Sequence, residues 1–138
     1  MIAKLLMTAS AAIVLVFGTL HLVYTFWGPK LTPRDPDLQV RMTQVSPVIS
    51  KEMSMWHGWR GFNATHSMSL ILFGLIYGFL ALVHPEMLFR STFLLALGFA
   101  TLGGFLVVAK LYFFSTPFAG ITISLACYIA SVIASRFS

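Results

Sequence analysis

The chain has 138 residues, of which 58% are hydrophobic and 9% charged, with a net charge of +5. Soluble domains carry roughly 25% charged residues, so too few charges are available to cover a water-exposed globule, and lipid is the solvent that makes sense of the composition. The basic residues fall mainly outside the apolar stretches, which excludes the basic stripe a nucleic-acid-binding surface requires and leaves them as headgroup contacts and topology signals.

In chain order, Met1 to Lys4 precede a charge-free run over residues 5–29. The run outlasts a signal-peptide core and no Ala-x-Ala-like site closes it, so it reads as a retained span. Three further stretches without Asp, Glu, Lys or Arg follow at 61–85, 91–109 and 111–135. About 20 apolar residues cross roughly 30 Å of hydrocarbon as a helix, and each stretch suffices. Strands are disfavoured because open edges are not viable in lipid and no barrel alternation is present. The predicted fold is therefore all-α integral membrane. It is a four-transmembrane-helix bundle with spans at 4–28, 60–83, 90–113 and 117–135 and a helical capping loop at 30–59, in one domain over 1–138. An even number of crossings puts both ends on one side of the bilayer.

Within the capping loop, Asp35-Pro36 and Ser46-Pro47 each have the form of an N-cap followed by proline at the first helical position. Leu38, Met42 and Val45 recur at i, i+4 and i+7, giving the first of these short helices an apolar face. Trp56 and Trp59 stand before the second span, where an interfacial aromatic belt belongs. The loop holds Lys30, Arg34, Arg41, Lys51 and Arg60, against Lys4, Arg90 and Arg136 on the other side. This count leans toward a cytoplasmic loop with both termini outside.

His84-Pro85-Glu86 is expected to turn the chain between the second and third spans. Phe113 to Pro117 turns it between the third and fourth, because proline cannot continue a helix and disfavours the helical region at Thr116. Lys110, one turn from the end of the third span, can snorkel to the headgroups. Small residues recur four apart at Gly74/Gly78, Ala100/Gly104 and Ala126/Ala130/Ala134. Such stripes let helix backbones approach closely, within the bundle or in a homo- or hetero-oligomer. Cys127 is the single cysteine, which excludes intrachain disulfides and CxxC thiol chemistry.

Polar residues inside a membrane are costly and mark where chemistry is to be sought. At 1.5 Å per residue, His21 and His66 both fall roughly 9 Å inside the same end of the bundle. Tyr24 and Thr25 share the His21 face of the first span. Asn63, His66 and Ser67 form a stripe on the second span that runs on into Gly74 and Gly78, toward the bundle interior. Lys110 and Tyr112 end the third span at this face, and Trp56 precedes the second. His21 and His66 are thus the candidate catalytic residues, and Tyr24, Asn63, Ser67, Lys110, Tyr112 and Trp56 the candidate binding residues.

Gly18-Thr-Leu-His21-Leu, then Trp56, then Gly61-Phe-Asn63-Ala-Thr-His66-Ser67 resembles the pattern of a widespread uncharacterised bacterial family of small four-span integral membrane proteins. The loop beginning Leu31-Thr-Pro-Arg-Asp-Pro is similar too. The resemblance implies the four-span fold and directs attention to His21, Asn63 and His66; it implies no activity.

Three readings of the histidines stand side by side: hydrogen bonds that hold the first two spans together, a pocket for a lipophilic small molecule, and a metal or b-type haem site. No span contains a carboxylate, so a ferritin-like di-iron site cannot be built, and catalytic zinc wants three protein ligands where two histidines are well placed. A b-type haem between two histidines is the remaining cofactor alternative; otherwise no cofactor or metal is expected. The function expected is a membrane-embedded binding protein or cofactor-free enzyme for a lipophilic small molecule, with membrane lipids as its surroundings. The alternative is a non-catalytic accessory or structural subunit of a larger membrane complex.

Overall fold

The computed structural model describes residues 1–137 of the chain. Six helices follow in order: α1 (Ile2–Phe26), α2 (Pro36–Gln44), α3 (Met55–Val83), α4 (Pro85–Arg90), α5 (Thr92–Tyr112) and α6 (Ser115–Ala134). Among the described residues there is no strand. Four of the helices, α1, α3, α5 and α6, are long and apolar enough to cross a membrane, so the protein is an all-helical, multi-pass membrane protein. The chain divides into two compact units, residues 18–69 and residues 1–17 together with 70–138.

The larger unit is a four-helix bundle with α4 attached. Its core is built from Met7, Ala11 and Val14 of α1, Phe73, Tyr77 and Leu80 of α3, Leu88 of α4, Leu102 of α5, and Ile121 and Tyr128 of α6. Apolar burial gives little drive between helices in lipid, so close packing and interhelical hydrogen bonds hold them. At Gly74 an added Cβ would lie 2.7 Å from Leu15 Cβ and 2.8 Å from the Ala11 carbonyl, which shows how near α1 and α3 approach. Gly120 takes the ring of Phe17, and Gly98 takes the rings of Tyr77 and Tyr128. The two tyrosine hydroxyls donate to the Leu94 and Leu95 carbonyls of α5 at 2.6 and 2.8 Å. Ser124 Oγ donates to the Ser10 carbonyl, and the Ser10 and Ser124 hydroxyls lie 2.9 Å apart; Ser131 Oγ donates to the Ala3 carbonyl at 2.6 Å.

Several expectations are corrected in this unit. Among the glycines of these pairs Gly74 makes a tight contact, Gly78 meets Ala11 at an ordinary 3.7 Å, and Gly104 has nothing within 4 Å. Ala100, Gly104, Ala126 and Ala130 are exposed. The inner face of α6 is instead Ile121, Ser124, Tyr128 and Ser131. A membrane helix is apolar all round, so hydrophobicity does not tell its inner face from its lipid face. The His84–Glu86 turn is tighter than expected: Pro85 is the first residue of α4, where its missing N–H costs nothing. Ser115 starts α6 two residues before Pro117, which sits within the first turn for the same reason.

The smaller unit comprises the C-terminal part of α1, the capping segment and the N-terminal part of α3. Helix α1 stops at Gly28, whose φ of +84° is the left-handed cap that glycine adopts without strain. Asp35 caps α2 by accepting from the Asp37 N–H at 3.0 Å, with Pro36 at the first position. The second expected helix start, Ser46-Pro47, makes a turn instead. Few residues separate it from Ser54, which accepts from the His57 N–H and caps α3, and a helix that short does not recover its nucleation cost. The Met55 N–H donates to the Val45 carbonyl at 2.7 Å, joining the end of α2 to the start of α3.

Candidate functional site

The smaller unit brings together most of the polar residues singled out in the sequence. His21 Nε2 and Asn63 Oδ1 lie 2.9 Å apart, linking α1 to α3. The Asn63 amide nitrogen donates to the Trp59 carbonyl at 2.8 Å, one turn earlier on α3. A carbonyl can only accept, so this bond fixes which end of the amide faces His21: the oxygen. In the bond between the two residues His21 Nε2 is then the donor and Asn63 Oδ1 the acceptor. The imidazole of His66 meets that of His21 edge to face, with ring centroids 5.3 Å apart and planes at 82°. Contact at this distance occupies the space a porphyrin would need between two axial histidines, so the pair does not fit a bis-histidine haem as it stands. Among the described residues no three His, Cys, Asp or Glu side chains gather to hold a metal ion.

Around this group the helix backbones are satisfied locally. Thr25 Oγ1 donates to the His21 carbonyl at 2.8 Å and Ser67 Oγ to the Asn63 carbonyl at 2.8 Å. Ser67 is fully buried and acts on its own helix. Its bond is the intrahelical back-bond common to serine in membrane spans.

Beside Asn63 opens a pocket of about 230 Å³. Its walls come from the end of α1 (Tyr24, Thr25, Phe26), the turn that follows (Gly28, Leu31, Thr32), Gln39 of α2, and the N-terminal part of α3 (Trp56, Trp59, Arg60, Asn63). Trp59 Nε1 donates to the Leu31 carbonyl at 2.9 Å and ties the capping segment to α3. Lys30 Nζ sits 4.3 Å over the Tyr24 ring, and the Arg60 guanidinium 4.9 Å over that of Phe26. These are cation–π contacts that orient both cations at this end of the helices.

Of the candidate residues, Tyr24, Trp56 and Asn63 line the pocket, whereas His21 stands behind it through Asn63 and His66 through His21. Lys110 and Tyr112 belong to the other unit, where Lys110 Nζ lies 5.0 Å over the Phe118 ring and Tyr112 is exposed. In the capping segment Leu38 and Val45 stay 50% and 44% exposed and Met42 is partly buried, while Gln39, with Leu31 and Thr32, reaches the pocket. Arg60 was legible: it precedes Asn63 by three residues, so the two share a helix face. Gln39, Leu31 and Thr32 were not, because nothing local dictates how the chain folds back after Gly28.

Comparison with protein-family models, curated proteins and solved structures returned no match for this chain.

Proposed function

We propose that this protein works in a bacterial inner membrane as a binding protein for a lipophilic small molecule, whose polar end enters the pocket between α1 and α3. The observation that carries the reading is the hydrogen-bonded series His21–Asn63–Trp59, whose Asn63 and Trp59 line a pocket that lies where two spans meet their capping segment. Ligand pockets for drug-sized molecules occupy roughly 300–1,000 Å³; this one is smaller, which suits the polar end of a molecule whose apolar remainder stays in lipid. His21, bonded to Asn63 and with His66 against its ring, stands behind the pocket wall, where a proton relay through Asn63 is not needed for binding and the pair serves first to position Asn63 toward a bound lipid, quinone or isoprenoid. Extraction of the purified protein and mass spectrometry of what is released tests the reading. Wild-type protein should carry a lipophilic species near one per chain, and Tyr24→Ala with Asn63→Ala should reduce it about tenfold, the loss expected for roughly 1.4 kcal/mol. Identical extracts from both proteins would overturn it.

A second reading, a subunit that docks to a larger membrane complex or to its own copies, draws on the exposed small-residue stripes Ala100/Gly104 and Ala126/Ala130. Native mass spectrometry from the membrane separates the two, because a pocket protein need not have a partner and a docking subunit must.

A further inference from the structure

The chemistry of the pocket lining specifies the charge of what it binds. None of its residues is acidic, and one, Arg60, is a cation. Among the described residues no carboxylate forms an ion pair with Arg60; its guanidinium rests on Phe26. The remaining polar groups divide in two. Asn63 spends its oxygen on His21 and its nitrogen on the Trp59 carbonyl, Trp59 spends its indole N–H on Leu31, and Thr25 and Thr32 spend their hydroxyls on the His21 and Pro29 carbonyls. The Trp56 indole N–H, the Gln39 amide and the Tyr24 hydroxyl have no hydrogen-bond partner among the described residues. What the pocket offers an entering group is therefore one fixed positive charge, the donor-only Trp56 indole N–H, and the Gln39 amide and Tyr24 hydroxyl, which can donate as well as accept, while the Asn63 oxygen is already taken.

Resting on the binding reading above, we infer that the pocket takes an oxyanion, the phosphate or carboxylate head of a single-chain or lipid amphiphile. The Arg60 guanidinium lies over the Phe26 ring and makes no ion pair among the described residues, so its N–H donors can form two parallel bonds to such a head. An indole N–H can only donate, so Trp56 favours a head with acceptor oxygens and bonds most strongly to a charged one. A cationic head would meet Arg60 with repulsion, and a neutral head would leave the guanidinium without a counter-charge. The location is consistent with this chemistry: the pocket sits at the ends of two membrane-spanning helices, beside the aromatic residues Trp56 and Trp59 that belong at headgroup depth.

The test uses the full chain in phosphatidylcholine nanodiscs and follows tryptophan fluorescence during titration. The probes are dodecyl phosphate, dodecanoate, dodecanol, dodecyltrimethylammonium, and inorganic phosphate without a chain. The two anionic amphiphiles should bind, and the neutral and cationic ones should bind on the order of 10- to 100-fold more weakly, the range expected for loss of a charge-assisted bond. Arg60→Gln should remove that preference, Arg60→Lys should restore part of it, and Trp56→Phe should weaken the anionic probes more than dodecanol. Arg41→Gln, an exposed cation outside the pocket, should have no effect, which separates the site from general surface potential. Equal binding of all four amphiphiles, unaltered by Arg60→Gln, would overturn the oxyanion assignment and leave the pocket reading standing. Absence of binding by any amphiphile would overturn both. Inorganic phosphate binding as tightly as dodecyl phosphate would make this a free-anion site and overturn the amphiphile assignment. Thermal unfolding of each variant checks that the helices remain assembled, and recovery of binding in Arg60→Lys excludes a folding defect as the cause of loss.

Discussion

Single residues decide how closely the helices approach, and their substitution separates contact from filler. Gly74→Ala would drive a methyl group against Leu15 and the Ala11 carbonyl, and backbone cannot yield as a flexible side chain does. It should cost about 1–3 kcal/mol, the usual penalty of overpacking. Gly104→Ala has nothing within 4 Å of the new carbon, so its melting temperature should equal or slightly exceed that of wild type. Thermal unfolding in one detergent checks both, and a Gly74→Ala protein as stable as Gly104→Ala would mean that α1 and α3 do not touch there. His21→Ala should be milder. The bond to Asn63 is one interhelical hydrogen bond, and such bonds average about 0.6 kcal/mol in membranes. At this scale the sequence was a good guide to what would meet at one level of the helices. His21 and Asn63 are brought together by plain arithmetic on two spans of known start. It was a poor guide to which hydroxyls bind helices together. Ser10, Ser124 and Ser131 are fully buried and make interhelical bonds, yet each has the appearance of any small residue in an apolar run. The i, i+3, i+7, i+10 spacing of Ile121, Ser124, Tyr128 and Ser131 was the available signal.

Whole elements follow from solvent and from capping chemistry, and they fail to follow where both are ambiguous. The spans were legible because a charge-free stretch has one stable fate in lipid. The start of α3 was not, since Arg60 looks like a boundary whereas the helix begins at Met55, capped by Ser54, and carries the charge on its second turn, where headgroups accept it. The capping segment illustrates the same limit. Its Asp35-Pro36 start forms and its Ser46-Pro47 start does not, although both satisfy the same local rule. The half-exposed Leu38 and Val45 suit α2 to lying on the bilayer surface with its apolar side toward lipid. Leu38→Ser with Val45→Ser should therefore raise protease cleavage within residues 30–54 several-fold in nanodiscs and leave bound ligand in place. Gln39→Ala, which alters the pocket wall, should speed ligand release without raising cleavage. The opposite pairing of effects would make the apolar stripe the cover of the pocket.

For the molecule as a whole, four crossings fix the sidedness of its parts. With Cys127 replaced by serine, single cysteines at Ile2 and Arg136 should react with an impermeant maleimide from one side of sealed vesicles, and a cysteine at Gln44 from the other. Labelling of Ile2 and Arg136 from opposite sides would eliminate the four-span arrangement. The serine contacts between α1 and α6 bear on how the protein is made. Ser10 and Ser124 are 114 residues apart in sequence, and Ser131 and Ala3 are 128 apart. During synthesis at roughly 5–20 residues per second, the first span enters the bilayer many seconds before its partner exists. Through that interval the inner face of α1 is exposed to lipid, with Ser10 limited to bonding within its own helix. The last span is consequently the closing piece of assembly. A ribosome stalled before α6 would leave a chain with three spans inserted and its first helix unpartnered, a state that membrane quality-control proteases can tell from the finished protein.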